Sequence, residues 1–388
     1  MNNTKNFKRG PVLAAGFMGM AFFGVAFLIM GSVLPSLTGK FSLDTAAAAS
    51  IAWILPFGVL IGSLMFGPVV DRYGYKMMII LSAIVAVLGL EILAFTSNVW
   101  MIRTAVFLIG AGGGSLNGLT NALVSDISTD KDRASNLSIL GIFYTLGALS
   151  IPLLFATISK SVSYTVIISG AGAILSVAIL FFLFVRFPEA KNKQEVPIMQ
   201  FLMFFKEPII LILSFVLFFQ SCLEGLCNNW IPTYMEGVKG IASENAMLTL
   251  TIFVAGIATG RVIMGIVLRA LSGYSVLMAA MVLIISGISS THIATSFVTI
   301  AVSIFVVGMG IAAAFPIILG EIGERYKEFS GTAFSFALVI ALMGNILVNL
   351  SVGAADLISL PWMVIFGAVM VVILSTVSRS KRFHLQKS

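Results

Sequence analysis

Long apolar runs, separated by short polar turns, make up most of this 388-residue chain. Twelve of the runs are near the roughly 20 residues that a helix needs to cross a bilayer. They lie at 11–35, 50–68, 76–97, 100–124, 135–157, 164–186, 208–233, 246–268, 274–291, 295–319, 332–354 and 361–378. The pattern predicts an all-α polytopic membrane protein with twelve transmembrane helices.

The longest polar interruption, at 188–207, separates the runs into two sets of six. We therefore predict an N-terminal half at 1–187, a cytoplasmic linker at 188–207 and a C-terminal half at 208–388. Two patterns recur at one displacement of 198 residues: Gly67-x-x-x-Asp71 as Gly265-x-x-x-Arg269, and Gly110-x-Gly112 as Gly308-x-Gly310. A shared displacement near half the chain length indicates an internal repeat.

Composition supports the membrane prediction, because 59% of the residues are hydrophobic and 10% are charged, with a mean hydropathy of +1.07. A soluble protein would have about 25% charged residues. The predicted surroundings are therefore the lipid bilayer, and the net charge of +7 is attributed to cytoplasmic loops rather than to nucleic-acid binding. Cys222 and Cys227 are five residues apart and do not share a helix face, so no disulfide or metal site is predicted.

The distribution of lysine and arginine predicts the orientation. If the N terminus is cytoplasmic, 18 of these residues fall on the cytoplasmic side and four on the other, with Arg261 left inside a helix. Positive residues mark cytoplasmic loops, so both termini are predicted to be cytoplasmic in a multi-pass inner-membrane protein. The first run, 11–35, is longer than the 7–15 residues typical of a signal-peptide core and is predicted to be a transmembrane helix.

Three charged residues lie well inside predicted spans: Glu91, Glu224 and Arg261. Each costs about 2.5–3.5 kcal/mol at a helix centre, so each should face the protein interior or a wet cavity. Glu91 is a candidate for ion coupling, although structural pairing is favoured because it lies in the outer half of its helix. Arg261 is a candidate gating residue in a cavity, with snorkelling to the surface an equal alternative.

The seventh span carries a polar stripe, since Gln220, Glu224 and Asn228 follow at four-residue spacing. Asn229 and Trp230 lie beside them. The stripe favours contact with a hydroxylated ligand, and Glu224 is the candidate coupling residue. The alternative is hydrogen bonding between helices.

Other spans contribute five further candidates for substrate binding, which are Asn117, Asn121, Tyr144, Asn345 and Asn349. For each asparagine, helix packing is an equal alternative.

A charged turn between the second and third spans contains Gly67, Asp71, Arg72, Gly74 and Lys76. The charges place this turn at a membrane face. Its spacing resembles the cytoplasmic loop between the second and third helices of the major facilitator superfamily of transporters. The resemblance implies that these five residues take part in conformational gating, and that Asp71 holds the start of the eleventh helix near 330–332.

Four further stretches are similar to the fucose–proton symporters and sodium-dependent glucose transporters of that superfamily: 110–123, 141–152, 224–234 and 308–316. The resemblance implies that Asn117, Asn121, Glu224, Asn228 and their neighbours Asn229 and Trp230 line a sugar-sized cavity. The fucose symporters have an acidic residue in the first and fourth helices. Residues 11–35 and 104–124 contain no Asp or Glu, so that proton pathway does not transfer.

The predicted function is cation-coupled uptake of a sugar or similar polyol by alternating access, by a monomer with no cofactor other than the coupling proton or sodium ion. The alternative is a proton-coupled efflux antiporter for lipophilic or cationic compounds. Such exporters often have a Gly-Pro sequence in the fifth helix, where this chain has Ile151 before Pro152. No enzyme is predicted, because no His-Glu-x-x-His motif or paired nucleophile and base is present.

Overall fold

The computed structural model describes residues 7–128, 133–188, 203–268, 270–326 and 330–379. In these ranges the chain forms thirteen α-helices, which are α1 Arg9–Phe41, α2 Thr45–Ala52, α3 Ile54–Phe95, α4 Val99–Ile127, α5 Arg133–Ile158, α6 Tyr164–Phe184, α7 Pro208–Gly237, α8 Ser243–Val267, α9 Gly273–Ile293, α10 Phe297–Ile311, α11 Ala314–Arg325, α12 Ser330–Ala355 and α13 Leu360–Ser378. They contain twelve segments long and apolar enough to cross a membrane. The predicted all-α architecture with twelve spans is therefore confirmed.

Helix boundaries differ from the apolar runs in two places. The second predicted span begins in α2 and continues in α3, which runs through the charged turn and on into the third span. Gly74 divides α3, since its φ of 79° and ψ of 168° are not helical. A positive φ is available to glycine at little cost, so this residue allows the change of direction.

The tenth predicted span is likewise two helices, because α10 ends at Ile311 and α11 begins at Ala314. Pro316 lies in the first turn of α11. Proline has no N–H group, and the first N–H groups of a helix have no partner within that helix, so Pro316 costs no helical hydrogen bond at this position. Proline alone does not dictate the break, because Pro35, Pro152 and Pro232 lie inside α1, α5 and α7.

The chain folds into two compact units. The first contains Met1–Leu43 and Ile54–Val196, and the second contains Asp44–Trp53 and Pro197–Ser388. The second unit thus includes α2, which packs against α12 where Ala46 and Ala49 meet Gly353. Most of the predicted linker, at 189–202, lies outside the described residues.

The same close packing of helices occurs within each of the two units. In the first unit a Cβ on Gly58 of α3 would lie 3.1 Å from the Cα of Gly110 in α4. In the second unit a Cβ on Gly256 of α8 would lie 3.2 Å from the Cα of Gly308 in α10. Both members of the pair are displaced by 198 residues, so the repeat seen in the sequence is also a repeat of contacts.

Two more contact pairs follow the same displacement. Gly89 packs on the Ala105 carbonyl, and in the second unit Gly287 packs on the Ser303 carbonyl in the same way. Likewise, Gly112 packs on the Ser82 carbonyl and Gly310 on the Ala280 carbonyl. Small residues let transmembrane backbones approach closely, which is where membrane helices gain much of their packing energy. The two units therefore share one packing scaffold.

Candidate functional site

The predicted polar stripe lies on α7 of the second unit. Gln220 is fully buried, and its Nε2 donates to the carbonyl oxygen of Ile311 at 2.8 Å. The same nitrogen lies 3.5 Å from Oε1 of Glu224, one turn further along the helix. Because Ile311 accepts a hydrogen bond, its carbonyl fixes which end of the Gln220 amide is the donor.

Ile311 was not a candidate in the sequence, although the break before Pro316 is the signal that would have indicated it. The last carbonyl groups of a helix have no partner within that helix. Since α10 ends at Ile311, its carbonyl is available to Gln220.

Two buried oxygen atoms flank Glu224 without a partner. Oε1 of Gln220 and Oδ1 of Asn228 are buried and accept no hydrogen bond from the residues the structure describes. Buried polar atoms in folded proteins are nearly always paired, because an unpaired one loses its bonds to water. These two acceptors could receive hydrogen bonds from a ligand.

Glu224 itself is half-buried on α7, and its carboxylate interacts electrostatically with the guanidinium group of Arg261 on α8. The Arg261 side chain is exposed. The second unit therefore brings together two of the three charged residues that the sequence placed inside spans. An opposite charge nearby stabilises an ionised carboxylate in an otherwise apolar region.

Four other predicted binding residues form a hydrogen-bonded network between α7 and α12. Asn349 Oδ1 accepts from Asn229 Nδ2 at 3.0 Å and from Trp230 Nε1 at 2.8 Å. Asn349 Nδ2 donates to the backbone and side-chain oxygens of Asn345 at 2.8 and 2.9 Å. Trp230 and Asn349 are both fully buried. In this conformation the network joins two helices, and its part in substrate binding stays a prediction.

The first unit holds the remaining polar candidates. Asn117 is half-buried and Asn121 is exposed on α4, and Asn121 Nδ2 donates to Asn117 Oδ1 at 3.0 Å. Tyr144 on α5 lies against α1, with its ring centroid 5.5 Å from that of Phe23. The two asparagines thus form a pair that presents amide groups on one face of α4.

Glu91 lies on α3, and its carboxylate contacts α6. Its Oε2 accepts a hydrogen bond from Ser169 Oγ at 2.8 Å, and its other oxygen packs against the position of Gly172. A Cβ at Gly172 would collide with this carboxylate, so the glycine makes room for it. These contacts agree with the structural pairing that the sequence favoured, whereas an ion-coupling role stays a prediction.

The charged turn is described in part. The side chains of Asp71 and Arg72, the surroundings of Gly67 and the side chains at 330–332 lie outside the described residues. Beyond Gly74, Tyr75 donates its hydroxyl to Asp126 at 2.7 Å, and Lys76 donates to the Leu183 carbonyl at 2.7 Å. The end of the turn is thereby tied to α4 and α6 of the first unit.

In the ranges with described side chains, no group of three or more His, Cys, Asp or Glu residues could hold a metal ion. Cys222 and Cys227 are both free thiols.

Comparison with known proteins gives consistent matches. The family model of the Major Facilitator Superfamily matches residues 15–348. The glucose/mannose transporter GlcP of Bacillus subtilis (strain 168) is 26% identical over a 351-residue alignment that covers 86% of each chain.

Solved structures show the same fold. A mutant of the nucleoside transporter NupG aligns with a TM-score of 0.80 at 13% identity, covering 98% of this chain and 100% of that one. The D-xylose–proton symporter aligns with a TM-score of 0.76 at 14% identity, covering 96% and 97%. At these identities the structures show the fold alone.

Proposed function

Because the chain belongs to the major facilitator superfamily of membrane transporters, we propose that it takes up a sugar or similar polyol together with a cation, by alternating access. The similarity to the glucose/mannose transporter GlcP supports a sugar as the substrate class. The coupling ion is a proton or sodium, the protein works as a monomer without another cofactor, and both termini face the cytoplasm from the inner membrane.

One observation carries the proposal, which is the half-buried Glu224 between the unpaired oxygens of Gln220 and Asn228. Sugar hydroxyl groups are donors that could pair with such acceptors. A carboxylate inside a membrane span is a group that could bind and release a cation, and Arg261 offers it a counter-charge when the cation is absent.

The driving force is sufficient in principle. Moving one elementary charge across the membrane potential releases about 2.3 kcal/mol per 100 mV. Since a factor of ten in concentration corresponds to about 1.4 kcal/mol, such a potential supports accumulation of roughly fortyfold.

The test is uptake of labelled hexoses into proteoliposomes, with sodium and proton gradients imposed separately. We expect uptake that follows one of the two gradients. Glu224→Gln should abolish accumulation against a gradient while leaving downhill exchange of the sugar measurable. Glu91→Gln is the comparison variant: retained accumulation would fit a carboxylate that pairs only with Ser169, whereas lost accumulation would support its ion-coupling role.

Full accumulation by Glu224→Gln would contradict the assignment of this residue. Absence of hexose uptake under either gradient would contradict the proposed substrate class.

A further inference from the structure

A groove lies on the second unit where α7, α12 and α13 meet, with a volume of about 450 Å³. Twelve of the described residues line it, and most are apolar, including Phe218, Phe219, Trp362 and Phe366. Gln220, Glu224 and Asn228 are not among these residues. The groove is therefore distinct from the polar stripe on α7.

The hydroxyl and thiol groups in this lining already have partners. Ser351 Oγ donates to the Leu347 carbonyl at 2.8 Å, and Ser359 Oγ donates to the Asp356 carbonyl at 2.6 Å. The Cys222 thiol donates to a backbone carbonyl at 3.2 Å. With these hydroxyl and thiol donors paired and most of the lining apolar, the groove suits an apolar occupant rather than a sugar.

The length of the groove matches one leaflet of a bilayer. Its lining on α12 runs from Leu347 to Ala355, a distance of eight residues, and its lining on α13 runs from Trp362 to Gly367. Eight residues of helix rise about 12 Å. Half of the roughly 30 Å hydrocarbon core is close to that length, so an acyl chain of one leaflet spans the groove.

Lys239 lies near one end of the groove, beyond Trp362. The Trp362 ring is 62% exposed and lies 6.0 Å from the His292 ring. Lys239 Nζ donates to the backbone carbonyl of His292 at 2.9 Å. Tryptophan and lysine are typical of the interface between hydrocarbon and head groups, where a lipid phosphate lies.

From these features we infer a phospholipid site. One acyl chain lies in the groove between α7, α12 and α13, and the phosphate lies near the Lys239 ammonium group. Lipid tails are as apolar as the groove, so hydrophobic transfer gives the site no preference over the surrounding bilayer. Preference comes from the shape of the groove and from the charge of Lys239.

Native mass spectrometry of the purified full chain, after stepwise delipidation in detergent, tests the site. The wild type should retain one phospholipid after the surrounding lipid has been removed. Ala355→Phe fills the groove from an exposed position and should lose that lipid. Ala354→Phe, also exposed but outside the lining, is the matched control and should retain it.

Lys239→Gln tests the head-group contact. The variant removes the positive charge near the proposed phosphate, so occupancy at limiting phospholipid should fall about fivefold, the upper end expected for an exposed ion pair. If Ala355→Phe and Ala354→Phe retained the phospholipid equally, the proposal would be overturned and the lipid would be non-selective annular lipid. If Ala355→Phe fails to fold, Ser351→Leu fills the same groove and must show the same loss.

Discussion

The network around Asn349 gives a direct test of whether this asparagine stabilises the fold. In Asn349→Leu the side chain keeps a similar size but loses its oxygen and nitrogen. The donors on Asn229 and Trp230 then remain buried without their partner on α12. We expect a less stable second unit rather than a specific loss of sugar affinity.

The expected loss in the free energy of unfolding follows from the number of hydrogen bonds that join α7 to α12 through Asn349. Two are lost, one from Asn229 and one from Trp230. Hydrogen bonds between membrane helices contribute about 0.6 kcal/mol on average and at most about 1.7 kcal/mol. The free energy of unfolding should therefore fall by about 1.2 kcal/mol, and by no more than about 3.4 kcal/mol.

Unfolding in mixed micelles at rising fractions of dodecyl sulfate, followed by circular dichroism, measures this change. A double-mutant cycle with Trp230→Phe should give a coupling energy near 0.6 kcal/mol. The matched variant is Asn228→Leu, whose Oδ1 has no partner among the described residues. It should keep its stability and raise the KM for sugar uptake.

The opposite result would refute this reasoning. If Asn349→Leu unfolded like the wild type, had no coupling to Trp230→Phe and raised the KM, the residue would be a substrate ligand rather than a link between helices.

Two further predictions concern packing and pH. Gly110→Ala should destabilise the first unit by about 1–3 kcal/mol in the same unfolding assay, because its Cβ would collide with backbone, whereas Gly170→Ala has open space and should be neutral or stabilising. Equal stability of both variants would contradict the packing scaffold. Burial and a neighbouring carboxylate raise the pKa of Tyr326 from 10.0 to about 12. The folded state therefore holds this proton more tightly, and stability should fall as pH rises from 10 to 12. Tyr326→Phe should lessen that fall, and an unchanged alkaline unfolding profile would contradict it.

The number and type of transmembrane helices could be predicted from the sequence because hydrophobicity and length alone decide whether a segment can cross a bilayer. Breaks within or between helices were harder to predict from the sequence. Gly74 and Pro316 are visible in the sequence, yet only the surrounding packing decides whether a glycine or proline bends, ends or merely occupies a helix.

In the candidate site, too, the local pattern could be predicted and the long-range contacts could not. Four-residue spacing was enough to place Gln220, Glu224 and Asn228 on one face of α7, because helix periodicity is local. The partners of Asn229 and Trp230 were not predictable, since Asn349 lies about 120 residues away and no local rule specifies the register of α7 against α12. The electrostatic interaction between Glu224 and Arg261 was missed for the same reason.

The repeat itself bears on what the polar stripe does. At a displacement of 198 residues, the positions of Gln220, Glu224 and Asn228 correspond to Phe22, Ala26 and Met30 on α1. All three are buried apolar residues in a helix that packs closely on α5. The first unit thus builds the matching helix without any polar group at these places.

Since the shared scaffold packs without these polar groups, packing alone does not account for their presence on α7. Buried polar and charged side chains carry a desolvation cost that apolar residues avoid, and two of these atoms have no partner in the described part of the second unit. The difference between the two halves therefore favours a binding role for the stripe. Replacing Asn228 alone by leucine should separate the alternatives, because the Gln220 bond to Ile311 stays in place. A packing role then predicts lost stability, and a binding role predicts a stable protein with impaired uptake.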